Sequence, residues 1–352
     1  MKLAIFGFEQ AGKSTVFNAL TGGDSGEEEK REKRVRVVPV PDPRLERLRD
    51  DYKPKKYSPA SVQYEDFPGF GGDKYFGELR DADALVGVVR GFRNDSVMAR
   101  NNTVDWKRDL VDLEQELAIA DYVLAEKNVD RLARSTRHAK AGKADKQKLE
   151  VLQKLMPLLE EGRPAYELDL NDDELDAIRD YHLLSLKPRI MIVNIGDDDD
   201  PAELGLPEIP EFTGEDRPKS ITVAIRGGLE AEVAALDPEE RDAFLEDFGI
   251  EEVVANRLQR LSYAYLNLIS FFTAGDKEVR AWTIHRGDNA VEAAGKIHSD
   301  IARAFIRAEV TPWDGYAELG SVKACKDANQ WRLEGKGYIV QDGDIIEIRH
   351  NA

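Results

Sequence analysis

A single cysteine, Cys325, five histidines and four tryptophans in 352 residues leave little material for several kinds of chemistry. One thiol forms no intramolecular disulfide and anchors no cysteine-rich zinc site, and no nucleophile framework surrounds it. His138, His182, His285, His298 and His350 show no pair at the helical spacing of metal ligands, so surface and packing roles are expected for them. Trp282, Trp313 and Trp331 are read as core or rim residues near the carboxyl terminus rather than as a cofactor box. Long apolar runs are missing too. Nothing approaches the roughly 20 residues of a membrane span, and the apolar stretch in MKLAIFGFEQ is too short for a signal-peptide core. A cytoplasmic protein with no membrane partner, and a monomer, is the expectation. Positive charge is in deficit, with 50 Lys and Arg against 68 Asp and Glu and a formal net charge of -18. Repulsion by the whole molecule therefore opposes general binding to phosphate backbones. Any nucleic-acid contact needs a local basic patch.

What is present suffices for two or three domains, since 41% of the residues are hydrophobic and 34% charged. LAIF (3–6), SVQYEDF (61–67), ALVGVV (84–89), RIMIVNI (189–195) and SITVAI (220–225) are mostly continuous apolar runs, as strands buried on both faces require. An α/β layer fold with a mostly parallel sheet follows. Between the third and fourth runs, residues 107–185 lack comparable strands. Leu110, Leu113, Leu117 and Leu124, then Leu149, Leu152, Leu155, Met156 and Leu159, keep helical spacing on either side of a polar link, which predicts an inserted antiparallel helical hairpin. From 271 onward the texture changes to EVRAWTI, a helix-like NAVEAAGKIHSDIARAFI and KGYIVQDGDIIEIR, where Asp-Gly predicts a hairpin in a small α+β module. The expected division is 1–106 with 186–270 as the α/β domain, 107–185 as the hairpin insertion and 271–352 as the carboxyl-terminal domain.

Three motifs stand at the carboxyl ends of predicted strands, where ligands of such sheets collect. Gly7-Phe8-Glu9-Gln10-Ala11-Gly12-Lys13-Ser14 reads G-x-x-x-x-G-K-S, follows LAIF and leads through Thr15 into the helical STVFNAL. Its glycines let the backbone turn amide hydrogens toward phosphates, Lys13 places positive charge on the terminal ones, and Ser14 offers a hydroxyl to Mg²⁺. The competing reading is a glycine turn before an ordinary helix. Asp66-Phe67-Pro68-Gly69 matches D-x-x-G: Asp66 would hold the magnesium shell and the Gly69 amide would meet the terminal phosphate, against the plainer reading of a Pro-Gly turn. Asn194-Ile195-Gly196-Asp197 resembles N-K-x-D, in which the aspartate reads guanine, with Ile195 at the lysine position. The following Asp198, Asp199 and Asp200 leave the carboxylate register open and are read as a solvated loop, since a calcium site would need spaced ligands and a terminal glutamate.

These motifs, with VVPVPDPRLERL (37–48), FFTAGDKEVRAWTI (271–284), AFIRAEV (304–310) and WRLEGKGYIVQDGDIIEIR (331–349), make the chain resemble the YchF and Obg-like ATPase family over nearly its whole length. The resemblance implies a P-loop nucleotide-binding domain with an inserted helical hairpin and a ubiquitin-like TGS domain. It also implies slow Mg²⁺-dependent hydrolysis of ATP in preference to GTP, a base read by N-x-x-E, and association with ribosomes. Four positions depart from the family pattern. Asp197 stands where glutamate is usual, the stretch GGDSGEEEKREKRVRV has no threonine after Thr21 and offers only Ser25, the base-flanking loop reads Arg226-Gly227-Gly228, and Glu9 sits where a small residue or proline is usual. Arg226 would stack over a purine or face water.

An ionised Glu9 beside a terminal phosphate would cost about a few kcal/mol at an effective dielectric near 20. Glu9 therefore orients the attacking water, weakens triphosphate binding, or turns to solvent. Phe70, directly after the D-x-x-G, cannot hydrogen-bond water, so intrinsic turnover is expected to be low. The hairpin tip 131–148 carries Arg131, Arg134, Arg137, Lys140, Lys143, Lys146 and Lys148 against Asp145. It is either a ribosome or structured-RNA contact or a solvated helical turn, and no aromatic residue interleaves it for base stacking. Two function classes remain: a slow nucleotide hydrolase acting as a switch, with Lys13, Ser14 and Asp66 as its catalytic set, or a nucleotide-gated interaction protein with negligible turnover.

Overall fold

The computed structural model describes residues 1–23, 33–137, 142–206, 219–247 and 252–351. The chain divides into two compact units, one built from residues 1–37 and most of the chain from Gln63 to Ala255, the other from Val38–Val62 and Asn256–Ala352.

The first unit is built on a six-stranded sheet. In chain order its strands are β1 (Lys2–Phe6), β2 (Arg34–Pro39), β4 (Ser61–Asp66), β5 (Ala84–Arg90), β6 (Arg189–Asn194) and β7 (Ser220–Ile225), with β3 (Lys56–Ser58) lying elsewhere. The order across the sheet is β2-β4-β1-β5-β6-β7. β1 runs parallel to both β4 and β5, and β5, β6 and β7 are parallel in turn. Every residue of β5 and β6 is buried, which explains their unbroken apolar composition, whereas β7 alternates because it is an edge. Phe6, Leu85, Val89, Met191 and Val193 meet Leu113, Leu117 and Leu79 in one core.

The insertion forms the expected pair of helices, Trp106–Arg137 and Lys143–Glu160. Ala118, Ala125 and Leu132 pack with Val151, Leu152, Leu155 and Leu159. The pair is tied to its unit by a buried carboxylate. Asp121 accepts from the backbone of Leu184 at 3.0 Å, from the backbone and hydroxyl of Ser185 at 2.7 Å each, and from Arg80 at 2.6 Å. Arg80 caps the helix Asp73–Leu79 that follows the D-x-x-G motif, so one side chain joins that helix to the hairpin.

The second unit carries a mixed sheet. β8 (Leu268–Ala274), β9 (Glu278–His285), β10 (Phe305–Thr311), β11 (Arg332–Glu334) and β12 (Ile345–His350) combine with β3 in the order β11-β10-β12-β8-β9-β3. Helix Ala290–Ile297, started by a capping box between Asn289 and Glu292, packs Ala290, Ala293 and Ala294 against Ile269, Phe271, Ile284 and Val310.

Three expectations are corrected. Most of residues 38–62, between the ends of β2 and β4, group with the second unit instead of the nucleotide-binding one: β3 pairs in parallel with β9, Lys56 opposite Glu278, and Arg44 of helix Pro43–Tyr52 bonds Asp342 at 3.1 Å. The second unit takes in the chain from Asn256, ahead of the expected 271. Asp342-Gly343 joins no hairpin, because β12 pairs with β10 and β8, and Asp342 is used instead to accept from the Ser270 amide at 3.0 Å.

Candidate functional site

Gly7 follows the last residue of β1, and its strand neighbour β5 leaves no room for a side chain. A Cβ there would stand 2.3 Å from the carbonyl oxygen of Val88. Gln10 and Gly12 both take positive φ, 62° and 88°, so the loop turns tightly before helix Lys13–Thr21 begins. The Lys13 ammonium donates back to the carbonyls of Gly7 at 2.8 Å and Phe8 at 3.0 Å, closing the ring of the loop. Burial pushes its pKa below the ordinary lysine value, while the carboxylates of Asp66 and Glu9 pull it upward. The result is a partly desolvated cation inside a curl of backbone at a helix amino terminus, an arrangement suited to phosphate. Ser14 and Thr15 occupy the first helical turn, and Ala11 is buried beneath it. Glu9 is exposed.

Asp66 ends β4 and is almost wholly buried. Its Oδ2 accepts from the guanidinium of Arg34 on β2, an ion pair whose side chains are 4% and 7% exposed, and the guanidinium lies 4.5 Å from the Phe17 ring centroid. Its Oδ1 has no hydrogen-bond partner among the described residues. A buried carboxylate oxygen left without a partner is costly unless a ligand completes it, and a hard divalent cation with its water shell is the ligand such an oxygen suits. The Asp66 carboxylate thus has the chemistry that a magnesium ion would use. Gly69, φ 74°, is exposed with nothing within 4 Å of a Cβ. Phe70 is drawn into an aromatic cluster, 4.7 Å from Phe8 and 5.5 Å from Tyr75, centroid to centroid. Arg100 lies 3.9 Å over the other aromatic wall, Phe8.

The third motif is a tie between loops. Asn194 is buried at the end of β6, donates to the Ala11 carbonyl at 3.3 Å and accepts from the Gly227 amide at 3.0 Å. It therefore links the phosphate loop to the turn after β7, and both neighbouring glycines are required: a Cβ on Gly12 or Gly227 would meet its side chain at 2.1 and 2.5 Å. Asp197 is exposed and accepts from the Leu229 amide at 3.0 Å, in the first turn of helix Gly227–Ala235. Arg226 donates twice to the carbonyl of Asp199, at 3.1 and 2.9 Å, while the Asp199 carboxylate accepts from the Gly196 amide at 2.7 Å. The structure thus brings Asn194, Asp197, Arg226 and Gly227 together with the phosphate loop.

Arg34 and Arg100 were not evident from sequence. Arg34 lies in a run of alternating arginine and valine that signals an ordinary exposed strand, and Arg100 falls in a short 3₁₀ turn, Arg100–Asn102, with no motif around it. Ser25 lies outside the described residues, as do His138, Ala139, Lys140 and Ala141 of the hairpin tip. Cys325 is buried, and among the described residues no group of three His, Cys, Asp or Glu side chains could hold a metal.

A mostly parallel sheet, a phosphate-binding loop between its first strand and helix, and a buried aspartate opening D-x-x-G together define a P-loop nucleotide-binding fold. The model YchF-GTPase_C, described as a protein of unknown function (DUF933), matches residues 268–351. Over 367 residues the chain is 38% identical to the Ribosome-binding ATPase YchF of Haemophilus influenzae, covering 100% of this chain and 99% of that one. It is 35% identical over 369 residues to the protein of that name from Bacillus subtilis, with 99% and 98% covered. The Schizosaccharomyces pombe YchF GTPase structure superposes with a TM-score of 0.82 at 28% identity, covering 99% of this chain and 97% of that one. The chain belongs to the YchF family.

Proposed function

We propose that this protein is a Mg²⁺-dependent nucleoside triphosphatase of low intrinsic turnover that binds ATP, with GTP as the competing substrate, and works as a switch on the ribosome. The orphaned Oδ1 of Asp66, on a carboxylate that acts electrostatically on Lys13, is the observation that carries the hydrolase reading. Full-length similarity to relatives named ribosome-binding ATPases supports the ATP and ribosome parts.

In this reading the backbone amides of residues 7–14 and the Lys13 ammonium hold the phosphates, and Ser14 and Asp66 hold the metal, which when bound neutralises charge on the transferring phosphoryl group. The Gly69 amide meets the terminal phosphate. Asn194 fixes the loops on either side of the base, with Asp197 and Arg226 beside it. Glu9, exposed at the mouth of the loop, keeps its choice between steering water and repelling phosphate. Phe70, partly buried in aromatic contacts, supplies no hydrogen bond to water, which is why turnover is slow until a partner rearranges the segment. The ubiquitin-like TGS assignment for the carboxyl-terminal domain, the basic tip as a ribosome or RNA contact, the cytoplasmic location and the monomeric state belong to the same reading. Among the described residues no helix is long and apolar enough to cross a membrane.

Phosphate release from ATP and from GTP, with and without ribosomes, tests the proposal. Lys13→Ala should weaken nucleotide binding by roughly 10- to 100-fold, the value of a charged hydrogen bond. Unchanged affinity in that variant, or no purine nucleotide bound by the wild type at millimolar Mg²⁺, would reject it.

A further inference from the structure

The buried pair between Arg34 and Asp66 is the least expected feature of the site. It puts a positive charge on the carboxylate that the metal needs. A buried carboxylate without a countercharge is strongly unfavourable, and Arg34 supplies that countercharge. Its place is fixed by more than the carboxylate. The guanidinium holds Oδ2 of Asp66, donates to the Asn18 side chain at 3.3 Å and rests over Phe17; Phe17 and Asn18 stand on the same helix as Ser14. Lys13, coupled electrostatically to Asp66, already provides a second cation. A divalent ion entering between Ser14 and Asp66 would therefore meet two resident positive charges around one carboxylate.

We propose that Arg34 is a latch on the metal carboxylate: its guanidinium and Mg²⁺ compete for Asp66, and binding of the metal with nucleotide releases Arg34 and with it the start of β2. The inference rests on the nucleotide-binding reading above. Like charges close together in a poorly solvated site repel, so the arginine lowers the affinity for the metal, and by reciprocity the metal weakens the hold on the arginine. The metal state of the site is thereby read out at residues 34–37, the strand segment carrying the latch.

The test is a Mg²⁺ titration of a fluorescent adenine nucleotide on wild type, Arg34→Gln and Arg34→Lys, with binding in EDTA measured alongside. Arg34→Gln should reach half-saturation at a Mg²⁺ concentration at least about tenfold lower than wild type, Arg34→Lys should remain near wild type, and affinity in EDTA should not fall. An unchanged or higher half-saturation in Arg34→Gln overturns the latch, as does a loss of EDTA affinity, which would make Arg34 a phosphate ligand. Hydrogen exchange on the wild type decides the matter should Arg34→Gln fail to fold. Amides 34–37 should exchange faster with nucleotide and Mg²⁺ than with nucleotide in EDTA, and equal or slower exchange rejects the latch. Absence of nucleotide binding by the wild type would instead refute the functional reading beneath it.

Discussion

At the scale of single residues, the site depends on where a methyl group cannot go. Gly12 has φ 88°, and a Cβ there would meet the Asn194 amide at 2.1 Å. That amide cannot swing away freely, because it is already bonded to Ala11 and Gly227. Gly12→Ala therefore combines left-handed strain with the loss of a buried hydrogen bond, and should destabilise the protein by roughly 2–4 kcal/mol in denaturant melts. Gly69 provides the control. Its φ of 74° carries similar strain with nothing near the Cβ, so Gly69→Ala should cost only about 1–2 kcal/mol. Equal losses in the two variants would mean that Asn194 does not brace the loop. The G-x-x-x-x-G-K-S spacing made the need for these glycines legible in the sequence. The reason for Gly12 was not legible, since the neighbour that excludes a side chain lies 182 residues away.

At the scale of elements, legibility followed burial. β5 and β6, buried at every residue, were plain as unbroken apolar runs. β2 inverts the rule: Arg34 is 5% exposed while Val35 and Val37 are 39% and 62% exposed, so its pattern argues for the wrong face. β3 is only three residues, Lys-Tyr-Ser, and exists because β9 offers it an edge. β10 and β12 are further bound by charge. Glu309 is buried on β10 and accepts from Lys326 at 2.5 Å and from Arg349 on β12. The bond to Lys326, helped by Arg349 and opposed by desolvation, holds its carboxyl below the ordinary 4.5. A carboxyl lowered on folding adds stability that is fully present above its unfolded pKa and is lost as pH falls through the lowered folded value. Melting temperature should therefore drop below about pH 4.5, and Glu309→Gln should flatten that part of the profile while lowering stability at pH 7. A Gln variant with the same acid slope as wild type would remove Glu309 from the account.

At the scale of the whole molecule, charge is segregated. The chain totals -18, yet the described part of the hairpin tip exposes Arg131, Arg134, Lys143 and Lys146. Lys148 is drawn aside by Asp180 at 2.9 Å, so the available patch is narrower than sequence counting suggests. A net-acidic protein approaching a ribosome gains nothing from its overall field, and in the proposed reading the tip supplies the attraction through individual phosphate contacts. Each such contact releases condensed counterions, which makes binding fall with salt by a slope close to the number of contacts. Ribosome co-sedimentation from low to physiological salt should show a steep decline, and Arg134→Ala combined with Lys143→Ala should reduce the slope of log K against log salt by roughly 1.5–2. A wild-type response that is flat, or a slope unaltered in the double variant, would place the ribosome contact away from the tip.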